Sequence, residues 1–179
     1  MKKLFLAVIA FSFSVIGVQA QSKNQGFTFG AGLDLSLPTG NFGTGYSFGI
    51  GGQVQGEYML SDNLSGIGSV GYQSFIGKSQ TIDFGGGPQS FKNPSAGLIP
   101  ILVGARFYPS EQFFIGAQIG VGLLSFGGGG GSTSGFDYFP QIGYNAGPIQ
   151  FALGYNGVSV TGGTLAHLQL SAVYRFGGD

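Results

Sequence analysis

The feature that most limits this chain is a two-residue alternation of apolar with small or polar side chains, held over unusually long stretches. Phe27, Phe29, Ala31, Leu33, Leu35 and Leu37 take every second position, with Thr28, Gly30, Gly32, Asp34 and Ser36 between them. Strand side chains point alternately to opposite faces, so this run has one greasy face and one polar face. A helix at 3.6 residues per turn would mix the two sets. Seven more runs repeat the pattern: Phe48–Leu60, Leu64–Ile76, Ala96–Tyr108, Phe113–Phe126, Phe136–Ala146, Ile149–Asn156 and Ala166–Phe176. Ile67 and Phe75 interrupt the third, and Leu98, Pro100 and Leu102 leave the fourth least polar on its second face. Globular strands have a mode near 5–6 residues, whereas a membrane-crossing strand needs about 9–11. The runs predict an all-β fold of eight long strands.

Their connections predict how the strands are arranged. Ser61–Asn63, Pro109–Gln112 and Gly147–Pro148 are short, whereas Pro38–Gly45, Gly77–Pro94, Gly127–Gly135 and Gly157–Leu165 are longer. Short turns alternating with long loops, an even strand number and both ends on one side predict an antiparallel up-and-down barrel. Five consecutive glycines, Gly127 to Gly131, mark one long loop as low in complexity.

Composition decides which way the greasy face looks. Charged residues are 8% of the chain, against roughly 25% in an ordinary soluble domain. A water-soluble barrel hides its apolar face inside and covers its exterior with charge. Here the polar face is mostly Gly, Ser, Gln and Asn, with Asp34, Glu57, Arg106, Asp137, His167 and Arg175 as its few ionisable groups. The apolar face carries no formal charge in any run, as lipid requires, and a closed sheet satisfies every backbone group that lipid cannot. The fold expected is therefore an eight-stranded transmembrane β-barrel with a packed polar lumen. Aromatics near the ends of the runs, including Phe27, Tyr58, Tyr72, Phe107, Tyr108, Phe136, Tyr155, Tyr174 and Phe176, suit the two headgroup levels.

Other classes fall away on the same counts. The chain is rich in aromatics and poor in charge, unlike disordered segments. Its 37 glycines keep no period of three, which excludes collagen. Seven basic against seven acidic residues leave no surplus for nucleic-acid phosphates. With no cysteine there is no disulfide, thiolate metal site or catalytic thiol. Met1-Lys2-Lys3, the apolar run Leu4–Val18 and the small-residue end Val18-Gln19-Ala20 predict a cleaved secretory leader over 1–20, leaving 21–179 as the barrel domain.

The whole mature chain resembles the small outer-membrane β-barrel families, the OmpA/OmpX-like "porin family" barrels of Bacteroidetes-type Gram-negative bacteria. The resemblance rests on Leu37-Pro38-Thr39-Gly40-Asn41-Phe42, Gly56-Glu57-Tyr58-Met59-Leu60-Ser61-Asp62-Asn63-Leu64-Ser65, Gly104-Ala105-Arg106-Phe107-Tyr108-Pro109 and Val173-Tyr174-Arg175-Phe176. It implies a monomer in outer-membrane lipid. It also implies that the aromatic end of the last strand, Tyr174 and Phe176, is the signal read by the barrel-assembly machinery. The family is functionally broad and supplies a location more than an activity.

Few residues could carry chemistry. Glu57, Arg106 and Arg175 fall near the same ends of runs two, four and eight on the polar face, which predicts a buried ion-pair cluster. Such a cluster is either a static plug or the gate of a narrow conduit. His167 could serve a lipid-modifying enzyme only with a nucleophile and a third group in reach. Ser171, four residues along the same strand, is about 13 Å away at 3.3 Å per residue. His167 therefore reads as a lumenal hydrogen-bonding group, and no catalytic, cofactor or metal site is expected. Gly49-Ile50-Gly51-Gly52 opens no helix, and Gly116-x-x-x-Gly120 alternates with period two, so neither the phosphate-loop nor the helix-dimer reading applies. The expected role is structural or interactive through the long loops, with a narrow solute channel and a lipid-modifying enzyme as alternatives.

Overall fold

A computed structural model describes residues 26–83 and 88–177; the leader predicted at 1–20 lies outside them. In chain order the elements are β1 (Phe27–Thr39), α1 (Gly40–Gly45), β2 (Tyr46–Ser61), β3 (Leu64–Gly77), β4 (Ser79–Asp83), β5 (Pro88–Lys92), β6 (Ala96–Phe107), β7 (Phe113–Phe126), β8 (Ser132–Ala146), β9 (Ile149–Val160) and β10 (Gly163–Phe176). Eight of the strands close into one antiparallel barrel in the order β1-β10-β9-β8-β7-β6-β3-β2. Closure joins the first strand to the last, with Phe29 opposite Phe176 and Thr39 opposite Ala166.

The greasy face points outward. Leu33, Val54, Ile119 and Leu170 are 67%, 53%, 52% and 47% exposed, while Gln118 and Gln169 on the opposite face are 2% and 4% exposed. Among the described residues no charged side chain lies on the outward face of a barrel strand. Phe27, Tyr58, Phe107, Phe113, Tyr144, Tyr174 and Phe176 ring the end that holds the termini, and Phe48, Tyr72, Phe136 and Tyr155 stand towards the other end. Along β2 the stretch from Phe48 to Tyr58, at about 3.4 Å per residue and a tilt of about 40°, covers about 25 Å, the height of a lipid-facing band. An arginine at Leu33, near the middle of that band, is expected to cost about 2–4 kcal/mol. Folding into phospholipid bilayers, followed by gel mobility, measures this; an unaffected yield would mean that Leu33 does not meet hydrocarbon.

Four details differ from the sequence expectations. The loop after β1 contains the six-residue helix α1, and the loop after β3 contains the β4–β5 hairpin. β8 starts at Ser132, four residues earlier than its alternation suggests. The segment Gly157–Leu165 is not a long loop: β9 and β10 pair up to Val160 and Gly163, leaving Thr161 and Gly162 as a tight turn. Gly162 takes φ 98°, a left-handed conformation that glycine adopts without a Cβ penalty. The clue was Val158-Ser159-Val160 before Thr161-Gly162-Gly163, alternating β-branched residues running into a glycine turn.

The fourth difference concerns the interior, which is only partly polar. Ile67, Phe75, Leu98, Leu102, Phe114, Leu124, Phe139, Val158 and Val173 all face inward and are nearly inaccessible. An eight-stranded barrel is just wide enough to be filled by side chains, so the interior is a packed core. Inward glycines make room for the rings. Gly49 lies opposite Phe75 and Gly143 opposite Phe114. A Cβ at Gly49 would come within 2.6 Å of the Phe75 ring.

Candidate functional site: a lumen closed at both ends

The inward side chains form three levels. The level nearest the termini is built round Glu57 of β2 and Arg106 of β6. Strand parity turns both inward, and the guanidinium meets the carboxylate at 2.9 Å with both side chains almost wholly buried. Gly116 lies opposite Arg106 on one side and Gln141 on the other, so no side chain stands between them. Arg106 Nη1 also donates to Gln150 Oε1 at 2.8 Å, and Nη2 to Gln55 Oε1 and Gln141 Oε1 at 3.3 Å each. Its guanidinium carbon sits 4.4 Å from the centre of the Phe114 ring, a cation–π contact. Glu57 Oε1 accepts from the hydroxyls of Ser65 and Tyr108, each at 2.5 Å. Gln150 accepts from Gln55 at 2.9 Å and donates to Asn145 at 2.9 Å. The result is a hydrogen-bonded disc across the barrel. Tyr108 follows the end of β6; burial, then the Glu57 carboxylate, hold its phenol above the ordinary range, so it remains a donor.

The structure brings together Glu57 and Arg106 but not Arg175. The expected three-residue cluster is corrected here: Arg175 is half-buried and donates through Nη2 to Gly147 O at 2.9 Å, while its backbone N–H donates to Pro148 O at 2.8 Å. The carbonyls of the tight β8–β9 turn capture it first. Glu57–Arg106 is the only ion pair among the described residues. Tyr108, counted above with the headgroup aromatics, points inward and is 9% exposed, so it belongs to the disc. The glutamines of the disc carry no sequence mark that separates them from other lumenal glutamines; only the register does. Tyr174 and Phe176 lie outside, facing lipid, with ring centres 5.0 Å apart.

The level at the loop end is apolar. Phe42 of α1 caps Phe75, Ala96, Leu98, Leu124 and Val158, with Tyr46, Phe126, Val160 and Leu165 packed against them. Phe42 and Phe75 meet edge-on at 4.9 Å, and Phe75 meets His167 at 5.1 Å. His167 is lumenal and 1% exposed, and its Nε2 has no hydrogen-bond partner. No hydrogen bond joins it to Ser171 or Asp34; Ser171 Oγ accepts from Gln169 and Asp34 accepts from Gln53.

Between disc and lid runs a polar middle level. Ser36 donates to Gln73 at 2.9 Å, Gln73 to Gln169 at 2.7 Å, and Gln169 to Ser171 at 3.1 Å. Gln53 donates to Asp34 at 2.8 Å, Ser69 to Gln118 at 2.8 Å, and Asn156 to Asp137 at 2.7 Å.

An apolar belt outside, an edgeless antiparallel sheet and a packed interior together define an eight-stranded transmembrane β-barrel. Among solved structures the fold is similar to Ail, the attachment invasion locus protein of Yersinia pestis, with 17% identity over 87% of this chain and 100% of that one, and a TM-score of 0.56. It is likewise similar to Neisserial surface protein A, with 16% identity over 83% of this chain and 95% of that one, and a TM-score of 0.54. The N-terminal β-barrel domain of Pseudomonas aeruginosa OprF gives 11% identity over 87% of this chain and 100% of that one, and a TM-score of 0.55. No protein-family model matches the sequence, and no curated protein matches it significantly.

Proposed function

We propose that this chain is an integral outer-membrane protein of a Bacteroidetes-type Gram-negative bacterium, of the "porin family" sort, and that it is a closed scaffold for its loops. Residues 1–20 are its cleaved export leader, and 21–179 its outer-membrane barrel domain. The termini and the short turns face the periplasm. The barrel sits as a monomer in outer-membrane lipid, delivered by the barrel-assembly machinery, which reads Tyr174 and Phe176. It is not an enzyme and has no dealings with nucleic acid. What meets the outside is the loop end: α1, the β4–β5 hairpin and the glycine-rich connection before β8. The names of Ail and Neisserial surface protein A speak of attachment and surface exposure, which favours an interactive role for those loops.

The observation that carries this reading is the double closure of the lumen. Ions would have to cross the Glu57–Arg106 disc and then the Phe42–Phe75 lid, whose buried members are all apolar side chains. Purified protein in planar bilayers is expected to give no conductance steps, and Glu57→Ala is expected to stay silent because the lid remains. Discrete steps from the wild-type chain would overturn the scaffold reading in favour of a narrow solute channel.

A further inference from the structure

The middle level of the lumen encloses a small cavity lined by Asp34, Gln53, Ser69, Gln73, Asn156 and Gln169, among others, with a water-accessible volume of about 10 Å³. That is room for one water-sized sphere and no hydration shell. Two features make it unlike an ordinary water pocket.

The first is charge. Asp34 and Asp137 are 1% and 0% exposed. Arg106, the one fully buried cation among the described residues, is taken by Glu57. Asp34 is thus buried in the cavity wall without a positive partner, a costly arrangement unless something neutralises it; Asp137 lies outside that wall.

The second is the direction of the amides. A carboxylate can only accept hydrogen bonds. Asn156 must therefore give its NH₂ to Asp137, and it does, at 2.7 Å. Its Oδ1 is turned away from that carboxylate, and this oxygen is buried and receives no donor. Gln53, which is half-buried, gives Nε2 to Asp34 at 2.8 Å. Both amides line the cavity. Asn156 thus keeps a buried, unpartnered oxygen in a wall that also holds Asp34. A water molecule could donate to this oxygen but would leave the Asp34 charge unmet.

We propose that the cavity binds one dehydrated monovalent cation of sodium's size, held by the Asp34 carboxylate and the amide oxygen of Asn156. Hard oxygen donors select hard ions, and a single carboxylate in the wall with room for one small sphere suits a single positive charge. Asp137 acts as a positioning residue: it fixes which end of the Asn156 amide faces the ion. The site lies between the two closures, so the ion is taken up as the barrel folds.

The full chain, refolded in detergent at constant ionic strength in sodium chloride or choline chloride, tests this. Unfolding is followed by the heat-modifiable shift on a gel. Sodium is expected to slow unfolding about tenfold relative to choline, which is too large to enter the cavity. Asp34→Asn keeps the shape and is expected to abolish the difference between the salts. Should that variant not fold, Asn156→Leu serves, again with the difference lost. Crystals grown in sodium chloride are expected to show a peak beside Asp34 whose contacts to oxygen are shorter than the hydrogen bonds of a water molecule. Equal unfolding rates in both salts, or no peak in the cavity, would overturn the proposal and leave a proton or a water molecule there.

Discussion

Replacing Arg106 with methionine is expected to lower stability by about 3–5 kcal/mol, because it strands the Glu57 carboxylate in the lumen. The hydroxyls of Ser65 and Tyr108 would still donate to Glu57, but no cation would replace the guanidinium at 2.9 Å. Gln150, Gln55 and Gln141 would also lose the donor that ties their side-chain oxygens together. The double variant Glu57→Gln with Arg106→Met removes the stranded charge and is expected to recover more than half of the loss. The chain has no tryptophan, so urea unfolding in detergent is best followed by gel mobility. A single variant within about 1 kcal/mol of wild type, the range of surface ion pairs, would mean that water reaches this level.

Truncating Phe75 to alanine is expected to cost a similar amount, about 3–5 kcal/mol, through lost burial and the hole left behind. Phe75 is 0% exposed and packs between Phe42 of α1 and His167 of β10. Its opposite neighbour is Gly49, which has no side chain to move into the space. Phe151→Ala is the control: that ring is 43% exposed on the outer face, and its removal leaves no internal void. The same urea titration distinguishes the two. Equal losses at both positions would mean that the loop-end cluster is not a packed lid.

Much of this architecture is legible in the residues, for a definite reason. Period-two alternation is a geometric property of strands, so Leu33 and Val54 are assigned to one surface and Gln118 and Gln169 to the other without knowing any partner. The scarcity of charge then decides which surface meets lipid. Glu57 and Arg106 share parity and depth, which is enough to put them at one level. What remains hidden depends on neighbours. Phe75 and Ile67 look like breaks in a pattern because the chain does not reveal that a narrow lumen wants bulk opposite glycine. Tyr108 looks like a headgroup aromatic, because only the register places its hydroxyl against Glu57. Arg175 has the right parity for the disc, yet its guanidinium donates to the Gly147 carbonyl across the turn. In the last hairpin the repeated glycines after Val160 resemble a loose loop, although the β-branched residues before them argue for pairing.

The pairing of β1 with β10 has a consequence for how the molecule comes into being. The barrel strand made first bonds to the barrel strand made last, so the sheet keeps two raw margins until β10 is available. A chain cut short before Gly163 can form every other hairpin and still be unable to seal. Its open rims would be ready to zip onto a sister chain. Sealing is therefore the concluding event in forming such a ring.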